Sequence, residues 1–355
     1  MADKKRAKKW RKILLTLAFI AINVGVIVAT AVNEFGNSKT AAELSEVKIN
    51  WWLLIPATLC FVGMIGLEYW KYIIMLRRLT KPGTFTRGEA FKVAFNNVML
   101  GRYYDKVTPA SIGGQPFQIY ELTKLGKLSH GLAAAIPIFS MISGQVALLL
   151  ISIICFVLGG ATVNNAALMS LAWIGLLFYA FWPVLVFGMA FLPKPTTRVL
   201  QWFARVLARL KIVKNREKAL GSIETEIGDY AKCVRRILKT PAVFWGVMAM
   251  SLMSNFLISL VPYYVLTAFG GDVGFWPCLV LTMAVSSAIY FVPTPGNSGA
   301  AEGTFYMVFS ALSSGYVFWA MLVWRFFSFY IYIIVGPLIY LRRQIEKRKK
   351  RRSVV

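Results

Sequence analysis

Two charged residues stand where the sequence is otherwise apolar. Glu302 follows the turn-forming stretch TPGNSGA at 294–300 and has long apolar runs on both sides, and Arg325 lies inside the apolar run 316–340. Glu302 is either a helix N-terminal acid satisfied by nearby N–H groups, or a partner for a cationic group or a proton. Arg325 either pairs with Glu302 or binds a phosphate group, and these two roles are compatible.

A second set of polar residues follows an earlier turn. Gln115, Gln118 and Glu121 are spaced three residues apart, so on a helix they share one face. Such a stripe either lines a cavity or faces the cytoplasm, and the sequence leaves both open. Local ion pairs are expected among the charged residues that precede this turn, Arg102, Asp105 and Lys106.

The two turns resemble each other. TPASIGG at 108–114 and TPGNSGA at 294–300 both begin with Thr-Pro, and in both a glycine follows five residues after the threonine. Proline breaks a helix, glycine permits a sharp turn, and the helix that follows offers free N–H groups to an anion such as a lipid phosphate. The candidate substrate-binding residues are therefore Thr108, Pro109, Gly113, Gly114, Gln115, Gln118, Glu121, Pro293, Pro295, Gly296, Ser298, Gly299, Glu302 and Arg325.

Composition indicates a membrane protein. Of 355 residues 57% are hydrophobic, and the mean hydropathy is +0.61, values that soluble domains rarely reach. Several apolar runs approach the roughly 20 residues needed to span the hydrocarbon core. We predict an all-α polytopic membrane protein with about six full transmembrane helices and two oppositely oriented re-entrant helical hairpins.

The predicted organisation has two membrane halves. A basic N-terminus at 1–12 precedes the first half at 13–192, which contains a hairpin at 89–126. An amphipathic cytoplasmic linker at 193–241 leads to the second half at 242–340, with a hairpin at 275–315, and a basic tail at 341–355 follows. Each hairpin joins two spans that meet on one side, and those sides are opposite. This arrangement predicts an inverted repeat, as in many transporters.

The charge distribution gives the orientation. The net charge is +25, with seven basic residues in 1–12, six in 71–92, twelve in 193–242 and eight in 341–355. The segments between the other span ends carry few, which is the positive-inside pattern and predicts that both termini are cytoplasmic. The basic segments are expected to lie against anionic lipid headgroups, so a nucleic-acid partner is not required to explain the charge.

Other chemistry finds little support in the sequence. The four cysteines show no disulfide or metal spacing, and there is a single histidine, so neither a metal site nor a Ser-His-Asp triad is expected. No nucleotide-binding motif is present. We therefore expect no cofactor, no catalytic residue and no metal ligand, and regard an enzyme as less favoured than a transporter.

The segments TPASIGGQPFQIYELTKLG and FVPTPGNSGAAEGTF resemble signature segments of the lysylphosphatidylglycerol synthase transmembrane-region family. That family includes the flippase-like domain of the bacterial multiple peptide resistance factor, and the resemblance covers about 10–340. The matching positions are Pro293, Pro295, Gly296, Gly299, Glu302 and the segment 113–118. The resemblance implies a bacterial cytoplasmic membrane, lipid handling and a link to cationic peptide resistance. Long members add a soluble lysyltransferase domain, which we do not expect in this chain.

Three hypotheses follow from the sequence and the resemblance. The favoured one is a flippase or scramblase that moves a phospholipid between leaflets, with an aminoacylated lipid such as lysylphosphatidylglycerol as one candidate. The alternatives are an enzyme of the phosphatidylglycerol lysyltransferase type acting on a lipid headgroup, and a membrane partner or regulator of a separate lipid synthase. The expected partners are anionic membrane phospholipids, with a lipid synthase and a homodimer also compatible with the sequence.

Overall fold

A computed structural model describes residue 32, residues 49–108, 111, 113–160 and 166–192, residues 194–195, 197–198 and 201–202, and residues 228–290, 292–310 and 316–352. The apolar stretch at 13–33, apart from residue 32, and most of the linker at 193–241 lie outside the described residues. Every secondary-structure element among the described residues is a helix, which confirms the all-α prediction.

Ten α-helices carry the fold, and the described residues 228–238 are also helical. A single 3₁₀ turn at Trp51–Leu53 leads into α1, and a π-helical stretch at Phe326–Tyr330 separates the last two. The helices are α1 Leu54–Arg78, α2 Arg87–Val107, α3 Gly114–Lys124, α4 His130–Gly159, α5 Ala166–Phe191, α6 Pro241–Ala268, α7 Phe275–Ala288, α8 Ala300–Ser310, α9 Val317–Arg325 and α10 Ile331–Arg352.

Five helical stretches among the described residues are long and apolar enough to cross a membrane. They are Trp51–Arg78, His130–Gly159, Ala166–Leu185, Pro241–Ala268 and Val317–Arg343. Each coincides with a span that hydropathy predicts, and together they confirm a polytopic membrane protein. The fifth combines α9, the π-helical stretch and the beginning of α10. π-helical insertions of this kind often occur at functional sites, and this one directly follows Arg325.

Each predicted hairpin consists of two helices on either side of a break. We call residues 108–113, between α2 and α3, the first break, and residues 289–299, between α7 and α8, the second break. Helix α3 has 11 residues and α8 also has 11, so each rises only about 17 Å. Neither can cross the roughly 30 Å hydrocarbon core alone.

The ends of the first hairpin meet on one side. The Lys127 Nζ atom, just after α3, donates to the Thr84 carbonyl at 3.3 Å and lies 3.1 Å from Glu89 Oε1. Glu89 also closes a capping box with Thr86 at the start of α2, which fixes where the helix begins. The hairpin therefore returns to the end of α1 from which it started.

The ends of the second hairpin meet on the other side. The Tyr316 N–H, before α9, donates to the carbonyl of Phe269, just after α6, at 3.1 Å. The Asn50 N–H, before α1, donates to the Ala268 carbonyl at 2.9 Å. The second hairpin thus opens beside the beginning of α1, whereas the first opens beside its end. The ends of the two hairpins therefore lie at opposite ends of α1.

Two apolar cores hold the helices together and leave a polar layer between them. Along α1, Met64 belongs to one core and Met75 to the other, and along α6 the corresponding residues are Leu260 and Val247. Buried polar side chains lie between these positions: Glu68 and Lys71 on α1, and Ser251, Ser254 and Ser259 on α6. The packing therefore gathers polar groups from several spans at one depth.

Candidate functional site

The two breaks touch each other. The Ser111 Oγ atom donates to Asn297 Oδ1 at 3.5 Å, across 186 residues of sequence. Both residues adopt left-handed backbone conformations, with φ of 52° and 57°, which non-glycine residues seldom do. A Cβ atom on Gly296 would press against the Phe329 ring and come within 3.1 Å of the Lys106 carbonyl. The second break is therefore packed against both the first break and the last span.

The first break is closed by side chains from the end of α2. Thr108 ends that helix in an extended conformation, as expected for a residue before proline. Its Oγ1 atom donates to the Tyr104 carbonyl at 2.7 Å and accepts from the Gly113 N–H at 2.9 Å. Asp105 Oδ1 accepts from the Gly114 N–H at 2.9 Å. A carboxylate of the chain thus caps the N-terminus of α3.

The second break is closed in the same way but more tightly. Glu302 Oε2 accepts from the Gly299 N–H at 2.7 Å, and Glu302 Oε1 lies 2.6 Å from the Nε of Arg325. The Arg325 Nη2 group also points at Ser298 Oγ, 3.4 Å away, and at the Gly296 carbonyl, 3.5 Å away. The two charged side chains are only 2–3% exposed. Of the roles open to Arg325, the geometry shows the ion pair with Glu302.

A buried ionic network that sequence reasoning did not select lies near the first break. Glu68 Oε1 is 2.7 Å from Lys71 Nζ, and Glu68 Oε2 is 3.5 Å from Arg102 Nη2. Ser254 donates to Glu68 at 3.1 Å, and Lys71 donates to Ser251 at 3.0 Å. Two ionisable residues three apart in a span are a signal of this site, because such residues face an interior rather than lipid.

The network borders an internal cavity of about 200 Å³. Its polar lining comes from four spans and from the first hairpin: Glu68, Lys71, Tyr72, Arg102, Asp105, Gln115, Gln118, Ser140, Gln145, Tyr179 and Asn255. The side chain of Arg102 is 41% exposed even though it contacts Glu68, so it borders accessible space. We call this space, with its lining residues, the internal cavity.

A smaller cavity of about 160 Å³ adjoins it. Glu68, Arg102 and Asn255 line both spaces, and Lys106 is added on the smaller one. Among the residues that the structure describes, no carboxylate lies within ion-pair distance of Lys106 Nζ. A cation at this place is suited to an anionic group of a ligand.

The stripe of polar residues on α3 divides between two places. Gln115 and Gln118 line the internal cavity, and Gln118 exchanges hydrogen bonds of 3.1 Å with the backbone and side chain of Asn97. Glu121 lies instead on a surface pocket, where its Oε2 atom is 2.6 Å from Nη1 of Arg343. Two of the three residues therefore line the internal cavity, and the third lies at a surface pocket.

The remaining predicted site residues belong to the breaks themselves. Thr108, Gly113 and Gly114 close the first break, and Gly296, Ser298, Gly299, Glu302 and Arg325 close the second. Pro293 and Pro295 lie within the second break. Pro109 lies outside the described residues. The breaks are thus brought into contact, but the charged cavity lies on the side of the first one.

The described residues contain no group of three His, Cys, Asp or Glu side chains placed to hold a metal ion. The four cysteines, Cys60, Cys155, Cys233 and Cys278, are unpaired thiols. The polar lining consists of carboxylates, amides, hydroxyls and cations, which suit hydrogen bonding and charge pairing with a polar ligand.

Fold and cavity together define a multi-pass helical membrane protein with a polar interior. Residues 13–336 match the family model described as the lysylphosphatidylglycerol synthase TM region, which covers most of the 355 residues. The chain belongs to this family and is a membrane protein of lipid metabolism. No curated protein and no solved structure gives a significant match.

Proposed function

We propose that this protein moves a phospholipid between the two leaflets, with the headgroup passing through the internal cavity and the acyl chains remaining in the lipid. The observation that carries this proposal is the charged cavity of about 200 Å³ among membrane helices. Family membership supports a lipid as the ligand. Charged side chains inside a membrane are costly, and they typically mark a pathway for polar cargo.

The side chains that line the internal cavity are of the types that bind a phospholipid headgroup. Arg102 presents a planar fork of donors toward accessible space, and the adjoining Lys106 adds an ammonium group; both suit a phosphodiester. Gln115 and Asn255 can bond the hydroxyls of a glycerol headgroup. Asp105 and Glu68 would pair with the ammonium group of an aminoacylated lipid, so lysylphosphatidylglycerol fits the mixed charges.

The paired breaks supply a route for conformational change. The ends of the two hairpins lie at opposite ends of α1. Among the described residues of the two breaks, Ser111 donates to Asn297 at 3.5 Å. Inverted units that meet near mid-membrane are the basis of alternating access in many transporters. In our proposal, parting of the first break from the second exposes the cavity to one leaflet and then to the other.

The test is leaflet exchange in proteoliposomes that contain the purified full chain. Phosphatidylglycerol with a fluorophore on its acyl chain is distributed in both leaflets, and a membrane-impermeant quencher reports the fraction that reaches the outer one. We expect the wild type to expose nearly all of the label. Arg102→Gln should slow exchange roughly tenfold or more, because a charge-assisted hydrogen bond contributes about 1.5–3 kcal/mol.

Lys232→Gln is the matched control. It also removes one positive charge, but Lys232 is exposed and pairs with Asp229 three residues away, so exchange should stay at the wild-type rate. Wild-type vesicles that quench no further than protein-free vesicles, with phosphatidylglycerol and with lysylphosphatidylglycerol alike, would contradict the proposed function.

A further inference from the structure

Two adjoining pockets on the surface of the first hairpin are not part of the internal cavity. One has a volume of about 580 Å³ and the other about 340 Å³. Both are lined by Lys92, Asn96 and Arg343, so they form one continuous depression between α2 and α10. We call the two together the surface pockets.

The larger surface pocket brings two cations close to one carboxylate. Lys124 and Arg343 line it together with Glu121. Glu121 takes only one edge of the Arg343 guanidinium, through Nη1 at 2.6 Å. A guanidinium carries five N–H donors in a planar fork, so Arg343 can bind a phosphate oxygen beside this pair.

Apolar and aromatic walls lie next to these charges. Phe91, 55% exposed, lines the smaller pocket together with Phe95 and Ile339. In the larger pocket the rings of Tyr104 and Phe117 are stacked with centroids 4.1 Å apart. A basic rim beside an exposed apolar wall is the pattern expected where a lipid headgroup and its chains are bound together.

The surface pockets and the internal cavity are separated by the seam of the first hairpin. Asn97 lines the larger surface pocket and Gln118 lines the internal cavity. These two residues exchange paired hydrogen bonds of 3.1 Å, which close the direct passage between the two spaces. A ligand in the surface pockets therefore contacts a different set of residues from one in the cavity.

We propose that the surface pockets bind an anionic phospholipid of the leaflet next to the basic tail. Its phosphate lies against Arg343 and Lys124, and its acyl chains run along Phe91, Phe95 and Ile339. The Glu121 carboxylate competes with the phosphate for Arg343. The lipid thus bridges α3 of the hairpin and α10 of the last span. This site is independent of the proposed transport route.

Native mass spectrometry of the detergent-purified full chain tests the site. Phosphatidylglycerol and phosphatidylcholine with the same acyl chains are titrated, and the first bound lipid is quantified. We expect phosphatidylglycerol to bind more tightly. Lys124→Gln/Arg343→Gln should weaken phosphatidylglycerol binding roughly tenfold or more, since each basic residue near anionic lipid contributes about fivefold. Binding of phosphatidylcholine should change little.

A variant with the opposite expected sign makes the test independent of folding. Glu121→Gln removes the competing carboxylate and should tighten phosphatidylglycerol binding several-fold. The double control Lys232→Gln/Lys239→Gln removes two cations from an exposed helical segment away from the pockets, and should leave binding unchanged. Equal weakening by this control, or no tightening in Glu121→Gln, would overturn the proposal.

Competition with a soluble phosphate ester distinguishes a lipid phosphate from a free phosphate as the ligand of the surface pockets. Glycerol 3-phosphate has the phosphate but no acyl chains, and the proposal predicts that it does not displace bound phosphatidylglycerol at comparable concentration. Displacement at equal concentration would show a site for a soluble phosphate ester and overturn the lipid assignment. Leaflet exchange is measured on the same variants to separate this site from the transport route. Tighter lipid binding by Glu121→Gln supports the surface site whether or not the protein exchanges lipid between leaflets.

Discussion

The two breaks are built from similar residues but face different surroundings. In both, a carboxylate accepts from a glycine N–H at the start of the following helix, Asp105 in the first and Glu302 in the second. Glu302 forms a buried ion pair with Arg325, and both side chains are only 2–3% exposed. Beside the first break, Arg102 is 41% exposed and borders the internal cavity. One break is closed by an ion pair, whereas the other presents charge to open space.

This difference assigns different physical roles to the two regions. A fully buried ion pair tolerates little movement, because separating it leaves uncompensated charge in a low dielectric. A charge that borders accessible space can exchange partners with water or a ligand at low cost. In our proposal the second break is therefore the fixed element, and the first break is the element that meets the lipid. Variants at the two breaks test this difference between a buried ion pair and a charge that borders accessible space.

Removing Arg325 should cause the greatest loss of stability. Arg325→Leu leaves Glu302 buried without its cation, which costs about 3–5 kcal/mol, whereas Arg102→Gln at the exposed position should cost less than about 1 kcal/mol. Equilibrium unfolding of the purified chain in mixed micelles measures both. The double variant Glu302→Leu/Arg325→Leu removes both charges and should recover much of the loss. Equal losses for the two single variants would contradict the asymmetry.

Gly296→Ala should be the next most damaging change. Gly296 has φ of 59°, and an added Cβ would press on Phe329 and the backbone of Lys106. Left-handed strain alone costs about 1–3 kcal/mol. Gly303→Ala in α8 is the matched control, since a Cβ there meets nothing within 4 Å and alanine favours a helix. The same unfolding assay should show a loss for Gly296→Ala and a neutral or stabilising effect for Gly303→Ala.

Asp105→Ala should have a smaller effect than either. It removes a cap from the N-terminus of α3, which is worth about 1 kcal/mol, and leaves no fully buried cation behind. Glu302→Ala removes the equivalent cap and also leaves Arg325 buried without its carboxylate. The loss of unfolding free energy should therefore be several-fold larger than for Asp105→Ala. Unfolding of the two variants side by side measures this ratio. A ratio near one would show that the two caps are equivalent.

The breaks and the fold class could be predicted from sequence, because proline, glycine and hydropathy act locally. Helices resume at Gly114 and Ala300, directly after the two predicted turns. The ionic network could not be predicted, since Lys71 meets Ser251 across 180 residues and Glu68 meets Ser254 across 186. Only the packing of α1 on α6 brings these residues together. Glu121 belongs to the same three-residue spacing as Gln115. Its partner, Arg343, lies on α10, so no local pattern could predict this pair.

The smallest perturbation tests the opposite orientation of the hairpins, on which the comparison of the two breaks depends. Lys127 follows the first hairpin, and Asp272 precedes the second. Single cysteines at these positions, in a chain whose four native cysteines are replaced by serine, should be labelled by an impermeant maleimide from opposite sides of the membrane. Hydrogen bonds place Lys127 beside Thr84 at the end of α1, and Ala268 beside Asn50 at its beginning.

Labelling of Lys127→Cys in inverted vesicles and of Asp272→Cys in intact cells would also show that the basic face is cytoplasmic. Labelling of both from one side would mean that α1 does not cross the membrane, and the two breaks would then no longer be approached from opposite leaflets.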